Sequence, residues 1–212
     1  MADSATAVAD APCAVVFDLG GVLIDWNPRY LYRRLIADEA TMERFLAEVV
    51  SPAWNREMDR GRPFAELAAE LVGRYPDHAA LIAAYRTDWL EMLGEAYHDT
   101  VEVLAELRAN GIRLLALTNW SAETFVLARP RYPFLSWFED VLVSGEVGLI
   151  KPDPAIFRLL VDRHGLEASR TVFVDDAIAN VEAAAGLGFR AIRFTAAPAL
   201  RRELAAMGVL HP

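Results

Sequence analysis

The 212-residue chain contains one cysteine, Cys13. A single thiol excludes an intrachain disulfide and any zinc site built on paired cysteines. Histidine is scarce as well, and His78, His98, His164 and His211 show no ligand spacing. Long apolar runs are missing: the longest stretch free of Asp, Glu, Lys and Arg is about nine residues, far short of a membrane-spanning helix. Basic residues are outnumbered, 21 against 30 acidic ones, which gives a formal net charge of −9. Binding to a nucleic-acid backbone needs clustered Lys and Arg, so no nucleic-acid partner is expected. A small anionic substrate is compatible with this balance, because it feels only the local charge of a site.

Hydrophobic residues make up 54% of the chain and charged residues 24%, which suits a folded protein. The length is enough to bury a core without a metal or disulfide staple. Residues 1–12 carry acid where a signal peptide carries Lys or Arg, and are expected to form a disordered leader on a cytoplasmic protein with no membrane partner.

Five short apolar runs have strand character: Ala14–Phe17, Ile112–Leu117, Val141–Val143, Thr171–Val174 and Arg190–Phe194. They lack alternation, which fits strands covered on both faces of a parallel sheet. Helical patterns at Thr100–Arg108, Pro154–Arg163 and Ile178–Ala185 separate them, each followed closely by glycine. Strand and helix in alternation predict a doubly wound α/β core, over residues 13–26 and 97–212. Residues 27–96 break the rhythm. Leu31–Ile36, Thr41–Val49, Phe64–Val72 and Ala79–Leu93 read as helices divided by Ser51-Pro52, Gly61-Arg62-Pro63 and Tyr75-Pro76-Asp77. This segment is expected to be a helical cap inserted into the core.

Ligands of doubly wound sheets bind outside the carboxyl ends of the strands. The first run ends in Asp18-Leu19-Gly20-Gly21, either a turn or a carboxylate at the sheet edge beside a close backbone approach. The second ends in Thr118-Asn119-Trp120-Ser121, either a helix cap or a hydroxyl with N–H groups for an anion. Lys151 stands between Ile150 and Pro152, as a solvated loop residue or a cation aimed at the site. The fourth run meets Asp175-Asp176, where two adjacent carboxylates repel each other unless a cation such as Mg²⁺ is shared with another acid.

In this order, the motifs resemble those of the haloacid dehalogenase-like superfamily. Within it they resemble those of the helical-cap phosphatases of the sugar-phosphate (glucose-1-phosphate) type. Val15–Ile24 is similar to the family's first motif, Leu117-Thr118-Asn119 to the second, Lys151-Pro152 to the third and Val174–Asn180 to the fourth. The resemblance implies that Asp18 is a nucleophile forming an aspartyl-phosphate. It implies Mg²⁺ held by Asp18, the Gly20 carbonyl and Asp176, with Asp175 acting through water or by holding Lys151. Thr118, Asn119 and Lys151 would grip the phosphoryl group of a small phosphorylated metabolite, with Gly21 and Trp120 beside it. The protein would be a monomer or a homodimer.

The pattern is broken at one position. The family's phosphatases carry a second Asp two residues after the nucleophile as general acid, and here that residue is Gly20. A good leaving group, a substitute acid such as Asp25, or a catalytically weak protein that binds phosphate ligands would each account for this. A metal-independent 2-haloacid dehalogenase is the other enzymatic alternative, because halide needs no general acid; it leaves the Asp175-Asp176 pair unexplained. Trp26, Asn27, Arg29, Trp54, Asn55, Arg60 and Arg62 are candidates to line the cleft, against the alternative of cap packing for the tryptophans and solvated surface for the arginines.

Overall fold

The computed structural model describes residues 11–210, so the leader expected over residues 1–12 lies outside them but for its last two residues. The first half of the chain forms β1 (Ala14–Phe17), β2 (Ile24–Trp26), α1 (Arg29–Leu35), α2 (Glu39–Glu48), α3 (Pro52–Asp59), α4 (Phe64–Arg74), α5 (Ala79–Thr87) and β3 (Leu93–Ala96). Then follow α6 (His98–Ala109), β4 (Arg113–Thr118), α7 (Ala122–Ala128), β5 (Asp140–Val143) and α8 (Ser144–Val147). The chain continues with α9 (Pro154–His164), β6 (Thr171–Asp175), α10 (Ile178–Gly186), β7 (Arg190–Arg193) and α11 (Ala197–Ala206). No helix among the described residues is long and apolar enough to cross a membrane.

Five strands form one parallel sheet in the order β5-β4-β1-β6-β7. Side chains alternate across a strand, so each apolar run supplies both faces. Val15, Phe17, Leu114, Ala116, Val172 and Val174 face one side, where Val103, Leu104 and Leu107 of α6 and Leu200 and Leu204 of α11 cover them. Ala14, Val16, Leu115, Leu117 and Phe173 face the other, under Ile156, Phe157 and Leu160 of α9 and Ala184 of α10. This is the doubly wound core that unalternated runs predict. Burial of each of the larger side chains contributes about 1.5–3 kcal/mol before chain entropy is counted.

The helices α1 to α5 form the inserted subdomain. The chain enters it through β2 and leaves through β3, which pair antiparallel with Ile24 opposite Ala96 and Trp26 opposite Leu93. Trp54 packs edge-on against Tyr85 at 5.0 Å and Phe64 at 6.0 Å, and its Nε1–H donates to the Leu67 carbonyl.

Several elements differ from the sequence reading. Ser51-Pro52 divides helices as expected but also starts one, α3: the Ser51 hydroxyl accepts from Trp54 N–H and Pro52 occupies the first turn. The pattern expected as one helix over Ala79–Leu93 ends at Thr87, passes through a 3₁₀ turn at Trp89–Met92, and turns extended at Leu93 to pair with Trp26. The helices α7 and α11 and the ribbon β2–β3 carry periodic signals too short to stand out. The strands β4 and β6 extend to include Thr118 and Asp175, which places both on the sheet itself.

Candidate active site

The register of the central strands sets the site. Phe17 stands opposite Ala116 on one side and Val174 on the other, so Asp18 emerges level with Leu117 and Asp175. The Asp18 N–H donates to the Val174 carbonyl at 2.8 Å, which carries the pairing one residue past β1. On either side of β1 the chain winds in opposite directions, to β4 and β5 or to β6 and β7, and a crevice opens at that reversal.

Lys151 joins the motifs. Its Nζ lies 2.9 Å from Asp18 Oδ1 and 2.7 Å from Asp175 Oδ2, and the side chain is buried. The Asn119 side chain clamps the lysine's main chain, accepting from Lys151 N–H at 2.8 Å and donating to Lys151 O at 3.0 Å. Asp175 is fully engaged: besides Lys151 it accepts from Asn180 Nδ2 at 3.0 Å and from Ala177 N–H at 2.9 Å. Its evident work is to hold Lys151. Asp176 differs, being exposed toward the cleft.

Asp18, Asp175 and Asp176 each present an oxygen within 4.8 Å of the others. One ammonium against three carboxylates leaves two negative charges uncompensated. Burial, with the nearby Asp175 charge, pushes the Asp18 carboxyl up to about 7 against the pull of Lys151. Burial opposes the charge of Lys151, but Asp18 and Asp175 outweigh it and hold its pKa above the usual value. Desolvation and Asp175 likewise raise Asp176. All three donors are hard oxygens and two are open to the cleft, a set that fits a divalent cation such as Mg²⁺ and the waters it keeps.

The cleft has a volume of about 320 Å³. Asp18, Gly20, Gly21, Thr118, Asn119, Trp120 and Asp176 line it, with Lys151 and Asp175 buried beside Asp18. The nine residues singled out in the sequence therefore meet at one place. Of the cap candidates, Trp26 and Asn55 line the cleft. The others do not: Trp54 packs the cap core, and Arg29, Arg60 and Arg62 pair with Glu43, Glu57 and Glu70. Asn27 accepts from Arg29 N–H. Asp25 is also elsewhere, its Oδ2 accepting from the Tyr30 hydroxyl at 2.6 Å. Ser121, a helix-cap candidate in the sequence, caps α7 by accepting from Glu123 N–H and also lines the cleft, while Met58, Asp59, Trp89 and Thr124 complete the lining and do not stand out in the sequence. For Met58 and Asp59 the available signal is the Ser-Pro start of α3, which sets the helix that carries them.

The sequence profile of haloacid dehalogenase-like hydrolases matches residues 14–188, and the chain belongs to that family. It is 25% identical over 193 residues to the sesquiterpene phosphatase astK of Aspergillus oryzae, covering 90% of this chain and 94% of that protein. It is also 25% identical over 190 residues to (S)-2-haloacid dehalogenase 1 of Pseudomonas sp., covering 85% and 83%. Two other relatives are longer proteins, of which the chain spans 19% and 35%. A predicted HAD-like family hydrolase from Porphyromonas gingivalis superposes with a TM-score of 0.70 at 27% identity, covering 92% of this chain and 98% of that one.

Proposed function

We propose that the chain hydrolyses small phosphomonoesters, sugar phosphates foremost, with Mg²⁺ and through an aspartyl-phosphate on Asp18. The observation that carries this reading is the open carboxylate of Asp176 beside Asp18, with Lys151 buried between Asp18 and Asp175. Expelling halide from carbon needs no cation, so a dehalogenase would leave the open Asp176 carboxylate beside Asp18 without a partner of opposite charge.

Lys151, the Thr118 hydroxyl and the Asn119 N–H bind the phosphoryl oxygens and hold phosphorus in line with Asp18. The Asp18 carboxylate attacks phosphorus, the ester oxygen departs, and water then hydrolyses the acyl phosphate to regenerate Asp18. Mg²⁺, held by Asp18, Asp176 and the Gly20 carbonyl, would supply positive charge to the phosphoryl oxygens. Asp175 and Asn119 act through Lys151 by fixing its two ends.

Turnover of p-nitrophenyl phosphate tests the reading. We expect activity with Mg²⁺, its loss in EDTA, and a loss of about 10⁴-fold or more in Asp18→Asn. Activity that survives EDTA or the substitution refutes it. Metal-free release of halide from a 2-haloacid favours the dehalogenase, and phosphate-ester binding without turnover favours a binding protein.

A further inference from the structure

Gly20 leaves the reaction without a proton donor just past β1, and Asp25 is occupied by Tyr30. Three acids line the cleft among the described residues: Asp18, Asp176 and Asp59. Asp59 alone stands apart from the carboxylate cluster, and no step of the proposed reaction uses it.

Its position is well defined. Asp59 is the last residue of α3, and its carbonyl accepts from the Ser144 hydroxyl at 2.6 Å. That same hydroxyl accepts from Trp120 N–H at 2.9 Å, so one serine ties the end of α3 to the loop after β4. Gly145 permits the close approach, since a methyl group there would stand 2.5 Å from Ala122 N. The Asp59 carboxyl accepts from Asn55 Nδ2 at 3.0 Å, with the Ser121 backbone close by. Asn55 is fixed in turn by the Tyr85 hydroxyl at 2.5 Å. The carboxyl is therefore held against the loop three residues beyond Thr118, on the cap side of the cleft, where an ester's organic group must lie if its phosphoryl group meets Asp18. The bond accepted from Asn55 leaves a carboxylic acid free to donate its own proton.

We propose that Asp59 is the general acid of this enzyme, protonating the leaving-group oxygen from the cap in place of the acid absent at Gly20. Burial pushes its carboxyl up to about 7, against the opposing charge of Arg56, so a substantial share carries a proton near neutrality. The charged and titratable groups that act on it are Arg56 of its own helix and Tyr85 of α5. When Asp18 bonds to phosphorus, the P–O bond to the organic group breaks, and its electron pair takes the Asp59 proton to give the alcohol. Asp59, now a carboxylate, then accepts a proton from the water that attacks the aspartyl-phosphate. Phosphate leaves, and Asp18 and Asp59 return to their starting forms.

The inference rests on the phosphomonoesterase reading, and leaving-group dependence separates the two. kcat/KM is measured with Mg²⁺ for wild type and Asp59→Asn, on p-nitrophenyl phosphate and on aryl and simple alkyl phosphates of rising leaving-group basicity. Where Gly20 alone implies a steep decline in wild type, an acid at Asp59 predicts a shallow one. In Asp59→Asn the alkyl phosphates lose about 10²–10⁴-fold and p-nitrophenyl phosphate, whose leaving group departs as an anion, less than about tenfold. Equal loss on both substrates, or no loss on alkyl phosphates, overturns the proposal. If Asp59→Asn does not fold, the wild-type series decides: a shallow slope supports the acid and a steep one overturns it. Absence of Mg²⁺-dependent turnover with every phosphate removes the phosphatase reading, and this inference with it.

Discussion

Gly21 has a φ of +74°, and a methyl group there would stand 2.6 Å from Asp176 Oδ2. Both facts bear on one function, the room left for the open carboxylate. Gly21→Ala is expected to displace Asp176 and raise the Mg²⁺ concentration for half-maximal activity about tenfold or more; an unchanged midpoint would contradict a metal role for Asp176. Asp59 couples chemistry to stability. Its unfolded form ionises near 3.8, whereas the folded form keeps its proton to about 7 because burial disfavours the charge. Between those values the folded state binds more protons, so stability falls as pH rises. Urea unfolding should find Asp59→Asn more stable than wild type by about 2 kcal/mol at pH 8, a figure reduced for partial solvent contact, with the gap closing toward pH 4. A gap that does not change with pH would contradict this. Asp18, Thr118, Lys151 and Asp175 are legible in the sequence because each ends an apolar run or stands close after one. Asp59 is not, since its placement depends on the Ser144 hydroxyl that its carbonyl accepts from, far along the chain in another element.

At the scale of elements, the core strands are legible because burial on both faces leaves an uninterrupted apolar signature. Short elements are not. The strand β3 takes the end of a helical pattern because Leu93 gains a partner in Trp26, a tertiary pairing that local periodicity does not encode. The helix α9 shows how much one element contributes. Its Phe157 ring meets that of Phe173 of β6 at 5.2 Å and that of Phe189 at 6.1 Å. The side chain is fully buried, in a wholly apolar cluster that also holds Val16 and Leu117. Phe157→Ala should therefore destabilise the protein by about 3–5 kcal/mol through the cavity it leaves. Denaturant unfolding checks this, and a loss below about 1 kcal/mol would contradict a rigidly packed face beneath α9.

At the scale of the whole molecule, a −9 protein binds an anion only if its charge is locally reversed. Lys151 and a bound divalent cation would achieve that at the carboxyl end of the sheet, while Trp26 at the entry to the cap and Asn55, Met58 and Asp59 of α3 also line the cleft. The doubly wound core and the helical insertion are legible from the order of strand and helix patterns, because that order restricts the topology strongly. How the insertion meets the cleft is not, since it rests on the Ser144 contact to Asp59 and on the β2–β3 ribbon. Covalent chemistry at Asp18 leaves a phosphoryl group on the protein during turnover, which acid quenching of a reaction with a phosphomonoester and Mg²⁺ would trap. Mass spectrometry of the digested protein should find a phosphoryl group on the peptide bearing Asp18, absent in EDTA and in Asp18→Asn. Steady turnover with no adduct on that peptide, and undiminished in Asp18→Asn, would rule out Asp18 as the nucleophile.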